Sequence, residues 1–109
     1  MKREPRVIKI KKGDYVRLLE GPPESVSMQS GAVSLQPGKT VGKHSTKTNE
    51  ELLIVLEGEG SFILSNGKQL KMDVDTLLYC PPDTEHDVKN TGSGILRYIF
   101  VVAKAVVDP

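Results

Sequence analysis

Leu52-Leu-Ile-Val-Leu56-Glu-Gly58-Glu-Gly60-Ser-Phe-Ile-Leu64-Ser-Asn66-Gly67-Lys-Gln69-Leu-Lys-Met72 is the stretch on which the fold turns. The apolar run 52–56 is short, contains β-branched residues and is closed off by Gly58 and Gly60. Such a run reads as a strand rather than a helix. Ser61 to Leu64 leads straight into Asn66-Gly67, the strongest short-range hairpin signal, for which a type I′ turn is expected. Gln69 to Met72 then alternates and returns as the partner strand.

Outward from this stretch the pattern repeats. Val7, Ile8 and Ile10 read as a first strand, and Tyr15 to Leu19 as a second, stopped by Glu20-Gly-Pro-Pro-Glu24. Ala32-Val-Ser-Leu-Gln36 alternates and ends at Pro37-Gly38. Thr76 to Tyr79 halts before Pro81-Pro82, and Ile95 to Val102 forms the last strand. No window of a dozen residues holds a helical apolar period. The chain is therefore all-β, with about nine or ten strands arranged as a sandwich or barrel.

With 109 residues the chain is one domain, 1–109. Lys plus Arg is 15 against 14 Asp plus Glu, so the net charge of +1 offers nucleic acid or an anionic membrane no electrostatic hold. Five aromatic residues, none of them Trp, poorly supply the stacking platforms of single-strand binders. A single cysteine, Cys80, rules out an internal disulfide framework. The first apolar stretch is too short and too charged for a signal peptide, and no run approaches membrane-spanning length. A cytoplasmic protein is expected. Residues 52–56 and 95–102 are apolar on both faces, which calls for a cover on the outside. Either other strands or a second subunit supplies one, and a homodimer is the cheaper explanation.

Only two histidines are present, His44 and His86. His44 follows the Gly38 turn, and Glu51 opens the strong central strand. A hairpin would bring the two side by side. Period-two alternation puts Glu51, Leu53 and Val55 on one face. A carboxylate there would be costly unless a metal ion or a proton relieved it. His86 follows Pro81-Pro82 and shares a face with Val88. Two imidazoles and one carboxylate from separate strands make an N,N,O set for Fe(II), Mn(II), Ni(II), Co(II) or Zn(II).

These blocks resemble those of the cupin superfamily, specifically a small single-domain cupin. The first cupin motif is Gly-x5-His-x-His-x3–4-Glu-x6-Gly. Gly38, His44, Glu51 and Gly58 occupy its places, with Thr46 at the place of the second histidine. The second is Gly-x5-Pro-x-Gly-x2-His-x3-Asn. Asp75, Pro81, Asp83, His86 and Asn90 occupy it, with Asp at both glycine places. The resemblance implies a double-stranded β-helix, the jelly-roll barrel. That barrel should run from about 26 to 103, with strands in 6–19 packed on it or on a partner subunit.

The resemblance also implies a divalent metal held by His44, Glu51 and His86 inside the barrel. Thr46 is a weak donor that could instead hydrogen-bond a metal-bound water. Glu50 replaces Glu51 if the register shifts by one residue, and Asn49 could reach inward from the turn. Cys80 is either a small buried residue or a further ligand. Met28 and Gln36 lie on strands that face the cavity in the family and are candidate substrate contacts. Tyr79, Tyr98 and Phe62 are candidate pocket walls or core residues.

Two functions from different classes follow. One is a metal-dependent oxygenase or isomerase acting on a small polar metabolite. The other is a non-catalytic module that binds a sugar or organic acid, with or without metal. A structural role within an assembly is a third.

Overall fold

The computed structural model describes residues 3–106, leaving out the first two and last three residues. Nine strands follow one another: β1 (Tyr15–Glu20), β2 (Gln29–Leu35), β3 (His44–Ser45), β4 (Asn49–Glu57), β5 (Gly60–Leu64), β6 (Gln69–Met72), β7 (Leu77–Cys80), β8 (Glu85–Asn90) and β9 (Leu96–Lys104). They form two antiparallel sheets. One has five strands in the order β1-β2-β9-β4-β7, and the other four in the order β3-β8-β5-β6. The architecture is the expected all-β double-stranded β-helix.

The apolar alternation of β4 explains why the sheets close on each other. Leu53 and Val55 face inward and are almost wholly buried. They meet Phe62, Met72, Val88, Leu96 and Tyr98 in one core. Phe62, Leu53, Met72 and Leu96 are the largest side chains below 2% exposure, so the core is filled from both sheets. Full burial of such side chains contributes about 1.5–3 kcal/mol each relative to leaving them exposed.

The turns carry the unusual backbone. Gly58 has φ +82°, and a Cβ there would collide with the Ile95 carbonyl. Asp75 and Asp83 have φ values of +67° and +53°. Asp is among the few side chains that tolerate this left-handed region, which accounts for its standing where glycine would serve. Buried Asn90 knits the end of β8 to its surroundings: its amide donates to the Leu35 and Gly94 carbonyls, and its carbonyl accepts from Gly92 N–H.

Three local expectations need correcting. Val7, Ile8 and Ile10 form no strand; they are 98%, 39% and 41% exposed. The run is short and flanked by Lys9, Lys11 and Lys12, so it has no face worth burying. Only Tyr15–Glu20 pairs, at the sheet edge. The Asn66-Gly67 turn is not type I′, because Asn66 is absent from the residues with positive φ. Gly67 N–H bonds the Leu64 carbonyl, Leu64 N–H bonds the Lys68 carbonyl, and Gly67 alone takes φ +88°. This is the three-residue loop with a glycine bulge. Finally, β3 does not pair with β4. It pairs with β8, placing His44 opposite His86.

Candidate metal centre

Three strands from two sheets converge on one point. β3 brings His44 and β8 brings His86 as direct register partners, with ring centroids 4.3 Å apart at 62°. β4 brings Glu51 from the opposite sheet, on the inward face it shares with Leu53 and Val55. One donor atom from each of the three residues lies within 4.8 Å of the others. His86 is 2% exposed and Glu51 9%, whereas His44 stands at the cavity mouth, open to solvent.

The hydrogen bonds around the rings decide which nitrogen each presents. Nδ1 of His86 lies 2.9 Å from the Thr84 carbonyl, and Nδ1 of His44 lies 2.7 Å from the Gly42 carbonyl. A carbonyl only accepts, so each Nδ1 carries the proton and donates it. Both Nε2 atoms are then left for the cavity. This is the carbonyl-backed arrangement that orients metal-binding imidazoles. Nε2 of His86 lies 3.3 Å from Glu51 Oε1. Its lone pair cannot face a carboxylate comfortably. Either a second proton or a cation must stand between them.

The electrostatics agree. Burial lowers the basicity of His86, but the hydrogen bond from its ring to Glu51, the Thr84 carbonyl and the negative charges of Glu51 and Asp87 outweigh it. The net result raises its pKa above the ordinary histidine value. The site therefore attracts a positive charge. Phe62 stacks on the His86 ring at 4.7 Å and 18°, holding its plane. Asp87 Oδ1 accepts from Gly42 N–H at 2.9 Å, steadying the residue whose carbonyl orients His44.

The remaining candidates separate by which face of the sheet they occupy. Tyr98 is 3% exposed and lines the cavity. Burial first, then the charges of Glu51 and Asp87, pushes its phenol upward, so it stays protonated. Thr46 is buried but does not line the cavity. Its hydroxyl donates to the Pro81 carbonyl at 2.7 Å and accepts from Thr84 N–H at 3.1 Å. It braces the 81–84 loop that delivers His86. Tyr79 and Glu50 lie on the outer face, joined by a 2.8 Å hydrogen bond from the phenol to the carboxylate. Met28, 51% exposed, lines an outer groove with Tyr79 and Glu50, and Gln36 lies in a separate surface groove. None of these four reaches the cavity, because alternation turns them away or the strand has already ended. Asn49 starts β4, outside both the cluster and the cavity wall. Cys80 is 1% exposed, with Sγ 3.9 Å from His86 Nδ1, the nitrogen already committed to Thr84. Burial and the charge of Glu51 push its thiol up, and it lies outside the His44, Glu51 and His86 cluster.

The cluster sits in a cavity of about 490 Å³, within the range of small-molecule sites. Its walls include Val33, Leu53, Val88, Phe100 and Val102, and its mouth includes Tyr15, Arg17 and Gln29. The mouth residues were not singled out by the motifs. Their signal was the alternation of Tyr15 and Arg17 in the first strand, which becomes informative only once that strand is paired with β2.

A family model described as "Cupin domain" matches residues 31–102. An oxalate-binding protein of Thermotoga maritima is 30% identical over 70 residues, covering 64% of this chain and 57% of that protein. The tetracenomycin polyketide synthase protein TcmJ of Streptomyces glaucescens is 26% identical over 90 residues, covering 80% and 60%. The chain thus spans about six tenths of the length of these curated relatives. Among solved structures, a cupin protein from Bacteroides fragilis superposes with a TM-score of 0.80 at 20% identity, covering 100% of this chain and 91% of that one. A predicted oxalate decarboxylase from Thermotoga maritima gives 0.69 at 20% identity, covering 92% and 100%. Among the described residues no helix is long and apolar enough to cross a membrane.

Proposed function

The chain belongs to the cupin domain family, and from that premise we propose that it holds a divalent transition metal on His44, Glu51 and His86 and acts on a small polar metabolite. The observation that carries this is the shared orientation of the two imidazoles. Both donate Nδ1–H to backbone carbonyls, and both turn Nε2 toward the cavity where Glu51 waits. Fe, Mn, Ni, Co and Zn all suit such a donor set. When bound, the metal would polarise a carbonyl or lower the pKa of a coordinated water. The chain's own part is to fix the two rings, exclude water with apolar walls and hold a protonated phenol, Tyr98, at the cavity wall. An oxygenase or isomerase fits these roles.

Titration with each metal under anaerobic conditions tests the proposal. Stoichiometric uptake is expected in the wild-type chain and should be lost in His86→Asn and strongly weakened in His44→Ala. Because His44 is exposed, its truncation tests the site without endangering the core. Retention of full uptake in both variants would overturn the assignment.

The second reading, a binding module for a sugar or organic acid, is favoured by one observation. Outside the cluster, the titratable cavity residues are Tyr15, Arg17, Lys43 and Tyr98, which supply no carboxylate or imidazole to serve as a separate general base. Turnover of a bound metabolite would decide against it.

We also propose a homodimer formed through the outer face of the five-stranded sheet. Leu77, Tyr79 and Met28 are 63%, 55% and 51% exposed there. Tyr79 and Met28 share a groove with Leu52 and Val101, outward residues of the two strands whose two-sided apolar pattern calls for a cover, and Leu77 pairs with Ile54 beside them.

A further inference from the structure

We propose that Arg17 is the carboxylate-holding residue of the cavity, and that the molecule it selects is an organic acid with a free carboxylate several carbons away from the end that reaches His44, Glu51 and His86. This rests on the cavity being a small-molecule site, as argued above.

The placement of Arg17 comes from strand register. Arg17, Gly31, Phe100 and Leu53 are successive partners across β1, β2, β9 and β4. Three strand spacings separate the first from the last, roughly 14 Å along the curved sheet. Glu51 is the next inward residue on β4, opposite Val102. Arg17 and Glu51 therefore line the cavity from strands three spacings apart. Between them lies an apolar floor of Phe100 and Val102. Gly31 leaves room for this arrangement, since a Cβ there would lie 2.7 Å from the Phe100 ring.

The guanidinium is positioned but not consumed. Nη1 donates to the Tyr15 hydroxyl at 3.3 Å, and Nη2 donates to the Gln29 side-chain Oε1 at 3.5 Å. Its carboxylate neighbour, Glu20, is 3.7 Å away with a side chain 57% exposed. Exposed pairs of this kind hold weakly, so an incoming carboxylate can take Glu20's place. Arg offers a planar fork that matches a carboxylate with two parallel bonds. Lys43, the other cation at the mouth, has an equally displaceable partner in Glu85, but its ammonium lacks the planar fork that matches a carboxylate. A sugar would bring several hydroxyls against Val33, Leu53, Val88 and Phe100, which offer them no partners. An acid with an apolar body meets each surface with its complement.

The test compares two five-carbon probes with the same 2-oxo-acid head. 2-Oxoglutarate carries a distal carboxylate; 2-oxopentanoate carries a methyl group there. Calorimetry is run on the wild-type chain, Arg17→Gln and Arg17→Lys, each metal-free and Zn(II)-loaded, with a Zn(II) titration of each. In the wild type 2-oxoglutarate should bind roughly ten- to a hundredfold more tightly, the range for hydrogen bonds to charged groups. Arg17→Gln should erase that preference while leaving Zn(II) uptake unchanged, and Arg17→Lys should restore part of it. Equal binding of the two probes by the wild type, a preference that survives in Arg17→Gln, or no binding of either probe at millimolar concentration overturns the proposal. Absence of Zn(II) uptake by the wild type would instead sink the metal centre. The preference between probes in the metal-free chain would still report on Arg17.

Discussion

Replacing Glu51 with Gln should destabilise the metal-free protein in a pH-dependent way. Gln keeps the shape and a hydrogen-bonding amide, whereas truncation would leave His86 Nε2 buried without a partner. The side chains of His86 and Glu51 are 1% and 10% exposed and 3.3 Å apart, so solvent screens their interaction little. A hydrogen bond to a charged group contributes about 1.5–3 kcal/mol, and about 2 kcal/mol is expected here. At roughly 4–8 °C per kcal/mol for a domain of this size, the midpoint should fall by about 8–16 °C. The sign with pH follows from His86. Its folded pKa is raised above the unfolded value of about 6.5. The stabilisation is complete below the unfolded pKa and is lost as pH rises through the folded pKa. The gap between wild type and Glu51→Gln should therefore be widest below the unfolded value of about 6.5 and shrink as pH rises above it.

Metal reverses the slope. A bound ion needs the lone pair of His86, so its stabilising effect grows as the proton leaves. At a hundredfold excess over its Kd it adds about 2.7 kcal/mol, a shift of roughly 11–22 °C. Glu51→Gln should lose most of that shift. Thermal unfolding followed by circular dichroism, with chelator and then with Zn(II), reads both effects. Coincident metal-free midpoints across the pH range would refute the buried pair. An undiminished Zn(II) shift in the variant would refute Glu51 as a ligand.

Gly58→Ala combines a positive φ with a collision against the Ile95 carbonyl; a loss of about 1–3 kcal/mol or more is expected in urea unfolding, and an unchanged midpoint would show that the turn adjusts freely. Cys80, buried and with its thiol pushed up by burial, should resist a thiol-reactive disulfide reagent at pH 8 in the native state and react promptly in denaturant. Rapid native reaction would mean the strand end opens. Leu77→Glu places a charge on the apolar outer face, where the residue is 63% exposed. It should shift sedimentation from dimer to monomer with little change in the monomer's secondary structure, and a persistent dimer would move the interface elsewhere.

Much of the site was legible because its elements are local. The alternation of Glu51, Leu53 and Val55 survives any tertiary arrangement of β4, since side chains on a strand must alternate. The Pro81-Pro82 stop before His86 works the same way. What was not legible depended on pairing. Nothing local distinguishes β3 pairing with β4 from β3 pairing with β8, yet only the latter sets the two imidazoles face to face. Met28 was a candidate cavity contact by analogy of strand position and Tyr79 a candidate pocket wall or core residue; Met28 lies just before β2, alternation turns Tyr79 outward, and both line an outer groove. Thr46 looked like an empty ligand place. Its hydroxyl is occupied by Pro81 and Thr84, two groups remote in the chain until the barrel closes.

The sequence by itself determined that the chain is all-β, that its strands break at the glycines and prolines where they do, and that two histidines and one glutamate are the candidate metal ligands. Those facts follow from short-range sterics and from the scarcity of alternatives, two histidines in 109 residues. Only the tertiary structure decided that β3 joins the sheet opposite Glu51, that both imidazoles turn Nε2 inward, and that Arg17 lines the same cavity. Each of those depends on backbone carbonyls and strand partners brought together from 2 to 42 positions away, as between His86 and Thr84 or His44 and His86. Their long-range members are fixed when two sheets bury a common core, not by residues beside them in the chain.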